Sequence, residues 1–356
     1  MADADGTDES GTDVGGPVPI GVKLGSTRTV LAYPDGDGGI ETVRTLTCLA
    51  AYEDPVTGDE RVCYGEKAAR QYPDRVEFPL RSGLPEDERR AELAGQFFEE
   101  LCENHELPDE SGVVYAIPTI DDEPGLVNLN EVIEESTIGQ TFVRSFPESL
   151  CGAFPAMGDG MEAIDGIFVA VNLGATSLEA CAYRHGEQLA PFVSESATGN
   201  DVDRRIASAV EEETRGRVNI DTTTAREYKE VHGDFGDFEP FTDVVQQPGG
   251  GSHEFTIERS VMDPLDEYLD SVVAELANDF LSQLANAYMK PYQLALARPV
   301  VVTGGMACLP GIIDEFEARL SDELGRDITA VTADRPDLAA AEGAYRIARR
   351  LAESST

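Results

Sequence analysis

Pro19-Ile20-Gly21-Val22-Lys23-Leu24-Gly25-Ser26-Thr27-Arg28-Thr29-Val30-Leu31-Ala32-Tyr33 decides the reading of this chain. It has a counterpart in Phe168-Val169-Ala170-Val171-Asn172-Leu173-Gly174-Ala175-Thr176-Ser177-Leu178-Glu179-Ala180-Cys181-Ala182-Tyr183. Each stretch is an apolar strand, a tight turn of glycine and hydroxyl residues, and a second apolar strand, which predicts a β-hairpin with exposed backbone at its tip. At such a tip glycine lets the main chain come close to an anion, and several N–H groups converge on one point. Ser26, Thr27 and Thr176 add hydroxyl donors, so each turn reads as a phosphate cradle. One such hairpin alone is more often plain structure. Its repetition, with Ser26 and Thr176 150 positions apart, favours a duplicated architecture.

Outward from the hairpins, the 356 residues suffice for two domains with full cores, and a hydrophobic content of 41% is that of a soluble globular chain. The charge is extreme: 68 acidic against 27 basic residues leave −41. Only Lys23, Lys67, Lys229 and Lys290 are lysines. An acid excess spread along a chain that keeps its hydrophobic periodicity points to a salt-rich, halophilic cytoplasm, because at molar salt the Debye length is about 3 Å and self-repulsion is screened. The same charge argues against direct nucleic-acid binding. Six scattered cysteines without a CxxC read as buried free thiols, and four dispersed histidines offer no His/Cys metal site. With no signal peptide and no apolar run of spanning length, a cytoplasmic location without a membrane span is expected.

In chain order, residues 1–17 read as a disordered acidic tail. Strand at 39–43, an irregular subdomain at 53–90 with a short helix at 66–71, and helices at 86–104 and 129–138 follow, with strands at 113–118 and 141–146. A helix then starts at Pro147. The second half repeats the hairpin, adds a strand at 188–193 and helices after Gly199 and at 222–232, and has a Gly-rich stretch at 233–251 whose Pro248–Gly251 turn leads into a strand at 253–258. One long amphipathic helix is expected over 264–289, then strand 300–303, helix 312–324, strand 328–331 and an Ala-rich helix over 338–352. This alternation is mixed α/β.

The two hairpins resemble the first and second phosphate motifs of the actin, sugar kinase and heat-shock chaperone ATPase superfamily. Val300-Val301-Val302-Thr303-Gly304-Gly305-Met306-Ala307-Cys308-Leu309-Pro310-Gly311 is similar to the adenosine motif of that group. Residues 147–153 and 339–344 resemble its two connecting helices. Gly199-Asn200-Asp201-Val202-Asp203 resembles the Gly-Gly-Asp-x-x-Asp pattern after the second hairpin, and Ala225–Glu230 the helix whose Lys-Glu pair touches the nucleoside. Five elements in the right order are specific. The chain ends soon after the second connecting helix, which disfavours a chaperone, and no general-base Asp for a sugar hydroxyl is evident. The insertion around Val62–Ala68 is like MreB-type shape proteins, and the acidity is like haloarchaeal actin homologues.

The resemblance implies a two-domain actin-like, duplicated ribonuclease H-like fold with a nucleotide in the interdomain cleft. Residues 18–147 plus 336–356 would form domain I and 148–335 domain II. Phosphates would be held by Lys23, Gly25, Ser26, Thr27, Asn172, Gly174, Ala175 and Thr176. The nucleoside would meet Gly199, Lys229, Glu230, Gly304, Gly305 and Met306. Glu148 occupies the position that orients the attacking water, although an ordinary acidic residue favoured by the helix dipole explains it as well. The implied activity is slow ATP hydrolysis coupled to a self-assembled, nucleotide-dependent filament.

One departure stands out. Relatives carry Asp in both phosphate motifs to hold the water shell of Mg²⁺, and here those positions are Lys23 and Asn172. That changes the local charge by about three units. Either Lys23 contacts phosphate and Mg²⁺ is held by nucleotide, water and Glu148, or nucleotide is bound with little or no turnover. The second case would suit a non-hydrolysing scaffold or adaptor. Circular dichroism is expected to show the fold intact in concentrated KCl and weakened in dilute buffer; equal spectra in both would refute the salt-adapted reading.

Overall fold

A computed structural model describes residues 16–80, 83–119, 123–158, 166–246 and 252–354. The predicted acidic tail lies outside them as far as residue 15, as does the predicted Pro248–Gly251 turn.

Two five-stranded sheets repeat one topology. In the first, β1 (Val18–Leu24), β2 (Arg28–Pro34) and β3 (Ile40–Leu46) run antiparallel. On the other side of β1, β6 (Ser111–Ile117) and β7 (Phe142–Pro147) continue in parallel. In the second, β8 (Ile167–Leu173), β9 (Leu178–Arg184) and β10 (Glu187–Ser194) are antiparallel, and β13 (Val300–Thr303) and β14 (Ala330–Val331) extend β8 in parallel. The duplication expected from the hairpins is thus present strand for strand, and the fold is mixed α/β of the actin-like type.

Alternation along the strands assigns the faces. Ile20, Val22 and Leu24 point outward to a core with α2 (Glu88–Asn104) and α3 (Glu123–Glu134). Val169, Val171 and Leu173 do the same against α5 (Gly199–Glu213), α7 (Met262–Glu275) and α10 (Ile312–Leu324). The opposite faces, which carry Lys23 and Asn172, look towards each other. Between them lie α4 (Glu148–Ala156) and α11 (Ala339–Ser354), packed with Val114, Ala116, Phe168 and Ala170. These two helices are rich in small residues because they must cross closely. A Cβ on Gly343 would overlap the Cys151 carbonyl.

Two small ribbons flank the layers: β4 (Leu49–Glu53) with β5 (Glu60–Tyr64) beside α1 (Gly65–Gln71), and β11 (Phe241–Gln246) with β12 (Ser252–Ile257). Strands β4, β5 and β11 were not foreseen; each pairs with its neighbour along an antiparallel ribbon. Helix α3 starts and stops earlier than expected, since Gly139 takes φ +87° and Ile138 enters the core from a loop.

The long helix expected over 264–289 is present as one helical run over 262–287, with a π-helical turn inside it. After α7, the turn at Leu276–Leu281 keeps both of those residues buried, and α8 (Ser282–Ala287) stops at Tyr288 before α9 (Met289–Ala295). Pro291 accounts for the stop: in a continuous helix it would lack the N–H owed to Ala287 and its ring would clash there. All six cysteines are free, five buried and Cys308 exposed. Among the described residues no helix is long and apolar enough to cross a membrane.

Gly343→Ala would gain about 1 kcal/mol from helix propensity alone. Because the added methyl meets the Cys151 carbonyl, overpacking is expected to win, with a net loss of about 1–3 kcal/mol read from urea midpoints in concentrated KCl. A more stable variant would contradict the tight crossing of α4 and α11.

Candidate functional site

The tips of the two hairpins meet. Thr176 Oγ1 donates to Ser26 Oγ at 3.4 Å, and around this contact lies a cleft of 330 Å³. Both turns are tightly drawn: a Cβ on Gly25 would stand 2.5 Å from the Arg28 carbonyl, and one on Gly174 would stand 2.7 Å from that of Ser177. The second turn is also the seat of α5, whose first amides, Gly199 N and Asn200 N, donate to Gly174 O at 3.1 Å and Ala175 O at 2.9 Å. A helix N-terminus therefore abuts the cleft.

Every site residue expected from sequence lines this cleft except Gly304. Gly304 lies beneath it with φ +95°, where a Cβ would overlap Asn172 Oδ1 and the Leu173 carbonyl. Its role is to let β13 turn away under the second cradle.

The floor is ionic. Lys23 Nζ lies 2.9 Å from Glu148 Oε1, joining the end of β1 to the first residue of α4, with side chains only 16% and 9% exposed. Burial works against the Lys23 charge, but Glu148, with Glu179 and Asp337 beyond it, raises its pKa above the ordinary lysine value. Asn172 stands opposite Glu179 in the β8–β9 register, so both project from the inner face. Asn172 Oδ1 is buried without a hydrogen-bond partner among the described residues. Glu179 accepts from Thr119 N at 2.9 Å and from Ser177 Oγ at 3.2 Å.

The far wall is held by α6 (Thr222–His232). Lys229 lines the cleft, yet its ammonium turns back to Asp203 Oδ1 at 2.5 Å and Gly199 O at 3.1 Å, and burial lowers its pKa more than Asp203 restores it. Arg226 takes the other oxygen of Asp203 at 3.0 Å. Glu230 is gripped by Arg28 through two bonds of 2.8 and 2.9 Å that cross the cleft. Arg44 and Asp337 make a second pair between β3 and the segment before α11.

Glu179, Arg28, Arg44 and Arg226 received no role from sequence. Glu179 carried a signal, a lone acid in an apolar strand; the arginines carried none, because their partners are distant in the chain. With Lys23 and Lys229 these arginines equal the five carboxylates of the lining in number, a local balance that contrasts with −41 for the whole chain.

The residues present do not fit a protein-held Mg²⁺. Where two carboxylates would be needed there are an ammonium and an amide, Glu148 is already paired with Lys23, and no cluster of three or more His, Cys, Asp or Glu able to hold a metal exists among the described residues.

Burial first, and then the Glu148 charge, push the Glu179 carboxyl from 4.5 up to about 7. A raised folded value means that Glu179 contributes stability that is complete below pH 4.5 and is lost as pH rises through about 7. Glu179→Gln is expected to erase that slope and to be more stable than the parent above neutrality by roughly 3 kcal/mol, measured by urea unfolding across this range in concentrated KCl. Parallel pH profiles would contradict a buried, charge-crowded Glu179.

Residues 17–352 match the Salactin family profile. The chain is 60% identical to Salactin of Halobacterium salinarum over 337 residues, covering 95% of this chain and 93% of that protein. Among solved structures it resembles MreB5 of Spiroplasma citri bound to ADP, with a TM-score of 0.74 at 17% identity over 94% of this chain and 97% of that one. It also resembles the MamK double helical filament, with a TM-score of 0.72 at 17% identity over 93% and 98%. At such identity these two likenesses speak for the fold. With a profile match and 60% identity across nearly its whole length, the chain belongs to the Salactin family, on an actin-like fold.

Proposed function

We propose that this protein is a cytoskeletal ATPase of a halophilic cytoplasm that binds ATP in the cleft, hydrolyses it slowly and assembles with copies of itself into nucleotide-dependent filaments. The observation that carries the reading is the meeting of two glycine-bent turns, 3.4 Å apart, around a cleft of balanced charge in a strongly anionic protein. It is supported by the binding of ADP and AMPPNP named for MreB5 and by the filament named for MamK.

In this reading the turns Gly25–Thr27 and Gly174–Thr176 hold the phosphates through the hydroxyls of Ser26, Thr27 and Thr176 and through turn amides other than Gly174 N, which donates to Ser177 O, while the dipole of α5 adds partial positive charge. Gly305 and Met306 border the nucleoside. Glu148, fixed at the start of α4 by Lys23, orients a water towards the terminal phosphate; phosphoryl transfer asks chiefly for positioning and charge stabilisation. Domain I would comprise 18–147 plus 336–356 and domain II 148–335, with α4 and α11 as the connections. The Arg28–Glu230 pair bridges the halves, so nucleotide biases an open and a closed form, and a neighbouring subunit selects one of them. A head-to-tail contact that does not close into a ring gives an open filament.

A non-hydrolysing scaffold is the second reading, favoured by the engagement of Glu148 with Lys23. Sedimentation in concentrated KCl with ATP, ADP and a non-hydrolysable analogue, run beside phosphate release, separates the two. Pelleting with ATP and measurable release are expected, and Glu148→Gln is expected to slow release by about a hundredfold while still pelleting. Pelleting without release would favour the scaffold, and no pelleting with any nucleotide would overturn the filament.

A further inference from the structure

We infer that Lys23 is a built-in cation at the phosphate site, so that the cleft takes nucleoside di- and triphosphates without a divalent metal ion. The inference rests on the nucleotide reading above and goes beyond it in naming what neutralises the phosphates.

Four observations converge. The Lys23 stem runs along the first cradle, since its Cε would lie 3.3 Å from a Cβ on Gly25. Its ammonium is anchored at 2.9 Å by Glu148. An ammonium has three donors, and Glu148 uses one, leaving the others for phosphate oxygens. Asn172, from the opposite cradle, brings an amide to the same cleft, and its Oδ1 is buried without a partner among the described residues. A neutral amide tolerates a neighbouring ammonium and, unlike a carboxylate, adds no negative charge to draw a divalent ion.

The choice of residue agrees. With four lysines among 27 basic residues, 23 cations are arginines, yet this position is lysine. A guanidinium is a broad planar fork, whereas an ammonium is a compact point charge with a size and hydration closer to a small metal ion. A divalent ion in the same crevice would face that charge at short range, while the nearest carboxylate is occupied.

The test is calorimetric titration of the unmodified full-length protein with ADP in concentrated KCl, once with excess MgCl₂ and once with excess EDTA. Affinities agreeing within about threefold are expected. A larger loss in EDTA would overturn the built-in cation while leaving the nucleotide reading intact, whereas no binding in either buffer would overturn both. As a second measurement, Lys23→Met, checked for folding by circular dichroism, is expected to bind ADP about tenfold or more weakly in both buffers. Unchanged affinity of that variant would remove Lys23 from the phosphate site, and Lys23→Asp is expected to bind only when MgCl₂ is present.

Discussion

The separation between the two sheets governs everything else in this molecule. It is set by one layer of two helices, α4 and α11, with Gly343 against Cys151 and with Ala153, Ala340 and Ala344 in the same buried cluster. With so little side-chain volume between them, the helices cross at backbone contact, and the inner faces of the sheets come close. Hairpins that start from these faces then have nowhere to go but towards each other. Larger residues in that layer would part the sheets, and Ser26 would no longer reach Thr176.

Electrostatics work against the overall charge of the chain at this one place. Burying ions is costly unless each has a partner and its remaining hydrogen-bonding groups are met. Lys23 has Glu148, and Asp203 has both Arg226 and Lys229; Glu179, buried with hydrogen-bond donors only, responds with a raised pKa instead. Nearer the mouth, the Arg28–Glu230 pair is partly exposed, so salt screens it and its contribution is small. The tight pairs thus lie at the bottom of the crevice and the screened one near its mouth.

Much of the fold could be read along the chain because its signals are local. Alternation in 19–33 and 168–183 needs no distant partner to be recognised, and the helices around Phe97, Ile206 and Phe316 declare themselves by apolar spacing. What was missed is finer than periodicity or depended on partners. Apolar periodicity over 264–289 marks the long helix there but not the π-helical turn at Leu276–Leu281 inside it. The strand Phe241–Gln246 has meaning only once Ser252–Ile257 lies beside it.

The candidate site divides in the same way. Sequence alone determined the two glycine turns, and the family resemblance exposed the departure of Lys23 and Asn172 from the usual acidic pair. Only the tertiary structure decided that Lys23 is held by Glu148, that Glu179 is pressed into that charge with a raised pKa, and that Arg28 reaches across to Glu230. The physical reason is range: backbone periodicity is written in neighbours two to four residues apart, while the energy of a buried charge depends on what packing brings within a few ångströms from anywhere in the chain.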